Sequence, residues 1–270
     1  MTATLTAPVA PPRPSNLARD VGIVMLRELR PVLHDPFSLI FGMIQPLVFL
    51  ALFGPLLAGT LGGPGGAAIG GDVWGWFVPA ILVMTALFGT STTGANLLFE
   101  LQTGAHERML VTPLPRSSLL VGRALKEMVP LTGQAVVIVV VMLPFGLRVD
   151  ALGVLAGLVV LAVFGVGLGS LSYALAVAVR KQEWMFWAVQ QTLLFPLMIL
   201  SGMLLPLETG PAWMRVAAEF NPLAHVVAAE RALFAGEFVT GAVLAGALSA
   251  AATAAVGLVV GIRVMQRSAD

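Results

Sequence analysis

Six long runs of the chain carry no Asp, Glu, Lys or Arg: 36–71, 73–99, 128–147, 151–179, 184–207 and 238–262. Their apolar positions are continuous and lack the alternation of a half-buried strand. A helix rises about 1.5 Å per residue and a bilayer's hydrocarbon core is about 30 Å thick, so about 20 apolar residues make one crossing. Each run holds one such crossing. The pattern predicts helices near Phe37–Leu57, Phe77–Leu98, Val129–Leu147, Leu152–Val179, Trp184–Leu205 and Thr240–Ile262. The stretch Gly59–Gly71 is too glycine-rich and too weakly apolar to continue the first helix. Continuous apolar runs favour helices over a barrel. The predicted fold class is an all-α polytopic membrane protein with six transmembrane helices.

The segments between the runs have patterns of their own. Residues 1–15 read as a disordered tail rich in Pro, Ala and Thr, without the apolar core of a cleavable signal peptide. From Asn16 to Leu33, at 100° per residue, Leu17, Val21, Met25, Leu29 and Leu33 share one side. Arg19, Arg27 and Arg30 share the other, while Ile23 and Glu28 break the pattern. This predicts an amphipathic helix over 16–36 lying at the membrane surface, beside the plainer reading of a basic flank that happens to be helical. The connection from Phe99 to Met128 (99–128) has a short helical piece from His106 to Val111, a break at Thr112-Pro113-Leu-Pro115, and a second helix leading into the third crossing. A rigid element carrying Glu107, Arg108 and Arg116 suits force transmission from a soluble partner; an ordinary solvated loop stands beside it. The main body spans 37–265, and 266–270 form a short tail.

Composition narrows the function. Hydrophobic residues make up 58% of the 270 positions and charged ones 11%, too few to solvate a globular surface. A net charge of +1 gives no pull toward nucleic acid. Cysteine is absent, which removes disulfides and thiolate chemistry. With six crossings both termini share a side, and that side carries 12 of the 15 Lys and Arg, which makes it cytoplasmic. The Ala, Gly, Val and Arg bias suits a GC-rich bacterial genome, hence a bacterial cytoplasmic membrane.

Catalytic chemistry is missing. No phosphate-binding G-x-x-x-x-G-K-[ST] occurs, so ATP must be handled by another polypeptide. His34, His106 and His225 are too scattered for a shared metal site, and no catalytic constellation is visible. The crossings contain no Asp, Glu, His or Arg, unlike those of ion-coupled carriers, so energy is expected to arrive from outside the bilayer. A secondary transporter or channel working alone is the alternative. Uncharged polar residues within the crossings are candidates for a substrate path, above all Gln45, Asn96, Gln134 and Gln190, with Thr85, Ser91, Thr92 and Gln191; helix-to-helix hydrogen bonding is the plainer role. Gly153-x-x-x-Gly157 and Gly165-x-x-x-Gly169 permit close helix approach.

The run Gly104-Ala-His-Glu107-Arg108-Met-Leu-Val-Thr112-Pro113-Leu-Pro-Arg116, followed by Leu119-Leu-Val-Gly122-Arg123, resembles a loop of ABC-2 type transporter permeases, in their drug-resistance (daunorubicin-exporter-like) branch. Phe195-Pro196, Ser201-Gly202, Pro206-Leu207, Trp213 and Asn221-Pro222-Leu223 resemble the same family further along, although Leu204 and Leu205 stand where it often has aromatic or bulkier residues. The resemblance implies the permease of an ATP-driven exporter. It would work as two permease copies, or one with a similar paralogue, beneath two ABC ATPase subunits that bind ATP and Mg. Gly104, Glu107, Arg108, Thr112, Pro113 and Arg116 would form the ATPase-coupling interface. The cargo would be a drug, antibiotic or lipid of hydrophobic or amphiphilic character. The segment 206–239 would fold back into the outer leaflet as a re-entrant hairpin. Its own residues suit that: a helix from Pro222 to Phe234 stopped by Gly236, too apolar for a free loop, yet too charged at Glu219, Glu230 and Arg231 to cross.

Overall fold

The structure is a computed structural model, and it describes residues 17–61, 72–103 and 116–267. Every regular element among these residues is helical: α1 (Leu17–His34), α2 (Pro36–Leu61), α3 (Val73–Gln102), α4 (Arg116–Lys126), α5 (Met128–Met142), α6 (Ala151–Ala178), α7 (Glu183–Ile199), α8 (Ala212–Glu219), α9 (Pro222–Phe234) and α10 (Gly241–Arg267). The expected tail 1–15 and the loop positions Gly104, Glu107, Arg108, Thr112 and Pro113 lie outside the described residues. Arg116 opens α4.

Local chemistry sets the breaks. Asp35 precedes Pro36, which disfavours helix there and separates α1 from α2. Pro130 has no N–H to offer the carbonyl of Lys126, where α4 stops. Asp72 and Asp150 accept from the backbone N–H groups of Gly75 and Gly153, capping α3 and α6. Asn221 caps α9 through Leu223 N–H, and Gly236, at φ +81°, ends the following turn.

Five of the described helical segments are long and apolar enough to cross a membrane: Gly42–Gly59, Val73–Gln102, Ser118–Phe145, Ala151–Ala178 and Gly241–Arg267. The third starts about ten residues before the expected Val129 and so takes in Arg123, Lys126 and Glu127. The expected fifth crossing, Trp184–Leu205, is a 17-residue helix ending at Ile199. Its length of about 25 Å falls short of the hydrocarbon thickness. Pro196 removes a hydrogen bond inside its last turn, and Gly202, at φ +67°, turns the chain away.

The centre of the bundle is α3, whose run Phe77–Leu87 is buried without interruption. Around it pack α2, α5, α6 and α9, while α10 packs chiefly on α6 and α9. The α6–α10 crossing is close because Gly167 and Gly257 face each other: a Cβ on either would strike the other helix's backbone. The expected Gly153-x-x-x-Gly157 pair serves α9 instead, facing the Leu233 carbonyl and the Glu230 side chain. Large apolar side chains such as Leu52, Val140, Leu155, Leu193 and Leu248 point outward, as lipid contact requires.

At one end α1 packs along α4. Its inward residues match the expected stripe only in part, with Val21 and Met25 half-buried. Val24 and Leu29 are buried, Leu26 and Leu33 are exposed, and Glu28 is turned inward. Glu28 has a cationic partner on α4, described next.

Candidate functional site

A cavity of about 440 Å³ opens among α2, α3 and the α4–α5 junction, with Val32 of α1 at its edge. Thr85, Phe88, Thr92 and Asn96 line it from α3, where their spacing puts them on one helix face. Gln45 faces it from α2 and Gln134 from α5. A Cβ on Gly42 would stand 3.1 Å from Gln134 Nε2, so the glycine leaves room for that amide.

The hydroxyls on the cavity wall are committed. Thr85 donates to the Ile81 carbonyl (2.9 Å), Thr90 to Ala86 (2.8 Å) and Thr92 to Gly89 (2.7 Å). Such back-bonding satisfies a hydroxyl within its own helix and leaves its oxygen free only to accept.

Glu127 forms the cavity's charged wall. Thr93 donates to one carboxylate oxygen (2.7 Å) and Tyr173 to the other (3.3 Å), with Lys126 Nζ 3.5 Å from the latter. One turn earlier Arg123, 2% exposed, pairs with Glu28 of α1 (3.4 Å) and Glu100 of α3. Carboxylates and cations from α1, α3 and α4 thus meet, and a tyrosine of α6 joins them. A buried ionic cluster persists only when its members are paired and hydrogen-bonded.

Of the four residues expected along a substrate path, Gln45, Asn96 and Gln134 share the cavity, along with Thr85 and Thr92. Gln190 does not. It is buried, and its Nε2 donates to Ser172 Oγ (3.1 Å), joining α7 to α6. Sequence reasoning missed Glu28, Arg123, Glu127 and Tyr173. One signal was available: Tyr173 is the only tyrosine and lies in a run without charged residues, and a buried phenol needs a hydrogen-bond partner.

The far end carries a second polar group. Arg231 Nε donates to the Trp76 carbonyl (2.9 Å) and Nη2 to the Gly202 carbonyl (3.0 Å), with the guanidinium 3.9 Å from the Trp76 ring centroid. Burial lowers Arg231 to about 9, with Glu208 opposing, so it remains cationic at neutral pH. Its neighbour Glu230 is 0% exposed, and neither carboxyl oxygen has a hydrogen-bond partner. Burial alone pushes Glu230 up to about 8, so it is neutral at pH 7.

Among the described residues no three His, Cys, Asp or Glu come together as a metal site. The rings of His34 and His225 each contact a backbone carbonyl, of Arg30 and Glu219 respectively.

Comparison with known proteins fits this architecture. Residues 19–235 match the family model described as ABC-2 type transporter. The daunorubicin resistance ABC transporter permease protein DrrB1 of Streptomyces coeruleorubidus is 28% identical over 205 residues, 75% of this chain and 70% of the relative. The putative transport permease ycf38 of Cyanophora paradoxa is 29% identical over 202 residues, covering 74% and 68%. The probable multidrug ABC transporter permease YbhR of Escherichia coli (strain K12) is 24% identical over 153 residues, 56% of this chain and 41% of the relative. A helical bundle with five helices, among the described residues, long and apolar enough to cross a membrane, and a match over most of its length identify a membrane transport component: the chain belongs to the ABC-2 type transporter family.

Proposed function

We propose that this chain is the permease subunit of an ATP-driven exporter in a bacterial cytoplasmic membrane. It works as a pair of permeases with two copies of a separate ATPase that binds ATP and Mg. The cargo is a hydrophobic or amphiphilic molecule, a drug, antibiotic or lipid, moved outward. The observation that carries this reading is the cavity between α2, α3 and the α4–α5 junction, half walled by amides and hydroxyls inside an apolar bundle. In this reading α7 and the turn after it complete a sixth passage, both termini face the cytoplasm, and α1 rests on the inner surface. The helices α8 and α9 form a hairpin set into the outer leaflet.

ATP binding would press the 99–128 connection inward, and α4, its last helix, would carry the movement through Arg123 and Glu127 to the cavity. Force can pass this way because the ion-paired junction ties α1, α3 and α4 together. Glu107→Arg and Arg116→Glu test the coupling. Each is expected to reduce ATP-dependent efflux at least about tenfold while the protein still reaches the membrane. Full efflux by both variants would remove the coupling role.

A further inference from the structure

Granting that the cavity is the cargo site, its lining specifies what part of the cargo it holds. We infer that the cavity takes an uncharged, hydroxyl-rich head group, of the sugar or polyol type, carried on an apolar tail. Three observations lead there.

The first is charge. The cavity wall holds one carboxylate and one ammonium, Glu127 and Lys126, 3.5 Å apart. Glu127 also receives Thr93 and Tyr173, so its oxygens are occupied. An ionic head group entering here would shed water without meeting an uncommitted counter-charge, which is costly for an ion and far less so for a neutral group.

The second is the balance of donors and acceptors. Thr85, Thr90 and Thr92 have spent their protons on backbone carbonyls and offer only lone pairs. The carboxamides of Gln45 and Asn96 offer both donors and acceptors. A wall rich in acceptors, with two-way amides beside it, matches a ligand whose groups donate and accept at once. Hydroxyls do this; ethers, esters and tertiary amides cannot donate.

The third is size and apolar contact. Phe88, Pro130 and Leu131 form the remaining wall, and about 440 Å³ lies within the ~300–1,000 Å³ typical of small-molecule sites. A sugar ring fits the polar side, and its tail can run along the apolar side toward lipid.

The test is equilibrium binding to the full chain in lipid nanodiscs, with binding to lipid-only discs subtracted. Three radiolabelled probes share a decyl tail: decyl glucoside, decyl trimethylammonium and decyl sulfate. The glucoside should bind saturably and at least about tenfold more tightly than either charged probe. Asn96→Leu and Gln45→Leu should each weaken it roughly three- to tenfold, as loss of a hydrogen bond predicts, and leave the charged probes unchanged. Methyl glucoside, which has no tail, should not displace it. The ranking in the unaltered protein stands whether or not the variants fold. No saturable glucoside binding, a charged probe binding as tightly, or effective displacement by methyl glucoside overturns the assignment. None of these results touches ATP-coupled export, which the Glu107 and Arg116 variants test separately.

Discussion

Among the described residues, ionisable side chains are buried at two places, in opposite ways. Beneath the cavity Arg123 meets Glu28 and Glu100, and Glu127 meets Thr93, Tyr173 and Lys126. Partners arrive from α1, α3, α4 and α6, and they hold the helices in one arrangement. At the far end Glu230 of α9 presses against α6 where Gly157 leaves room, and no described residue answers either oxygen. No cation is near enough to favour its charged form; Arg231, next to it, turns instead to Trp76 and Gly202. There the charge is removed by protonation. The first solution fixes geometry through many partners. The second ties the seating of a helix to pH.

The largest expected effect follows from the second solution. Glu230 sits at about 8 in the folded chain against an ordinary value of 4.5. Between those values the folded state keeps a proton that the unfolded state has released. Stability is therefore greatest below the ordinary value and is lost as pH rises toward 8, levelling above it. The slope is at most about 1.4 kcal/mol per pH unit, or roughly 4 kcal/mol between pH 5 and 8. Thermal unfolding followed by tryptophan fluorescence at several pH values measures it. Glu230→Gln should flatten the dependence; an unchanged slope in that variant would show that the titrating group is elsewhere.

The paired region predicts a loss of stability when one partner is removed. Arg123→Ala leaves Glu28 and Glu100 facing each other in a partly buried space, at a cost of about 3 kcal/mol. The two carboxylates keep some contact with water, at 15% and 33% exposure, which puts the cost at the lower end for broken buried pairs. Arg123→Lys should recover only part, because one ammonium cannot reach two carboxylates with the spread of a guanidinium. A melting temperature unchanged in Arg123→Ala would break the contrast between the two regions.

The two regions also differ in how legible they are from sequence. At the far end the signals are local. Asn221-Pro222 starts α9 and Gly236 stops it, and the apolar content between them announces a packed helix. That Glu230 would be wholly buried is not visible, because nothing in its neighbours says which face turns inward. Beneath the cavity the decisive pair, Arg123 with Glu28, is 95 residues apart. Periodicity alone marks Glu28 as a flaw in an apolar stripe, whereas in the structure it turns inward to a cation on α4. The end of α7 is hidden for another reason. Mapping charges finds crossings by where charge is absent, and the turn after Ile199 is as uncharged as the helix before it. Pro196 and Gly202 mark the turn, but each also occurs within helices of membrane proteins. The cavity is partly legible: Gln45, Asn96 and Gln134 stand out as polar residues in apolar runs, but so does Gln190, and only packing separates them.

That separation gives the smallest prediction and sharpens the comparison from inside the bilayer. Gln190 and Asn96 are both amides in apolar helices, one with a partner and the other facing open space. Gln190→Leu removes the bond to Ser172, and interhelical hydrogen bonds of this kind contribute about 0.6 kcal/mol on average. Ser172 loses a donor but keeps contact with α3, because a Cβ on Gly94 would strike it. The variant should therefore melt slightly earlier and, on the proposed reading of the cavity as the cargo site, transport normally, since its amide does not line that cavity. Asn96→Leu should do the reverse, leaving the melting temperature unchanged or slightly raised while cargo efflux falls, because its amide faces the cavity of the proposed cargo site. Melting curves and efflux from the same membranes read both quantities. If Gln190→Leu reduces efflux as much as Asn96→Leu at equal stability, the division between structural and cargo-facing amides fails.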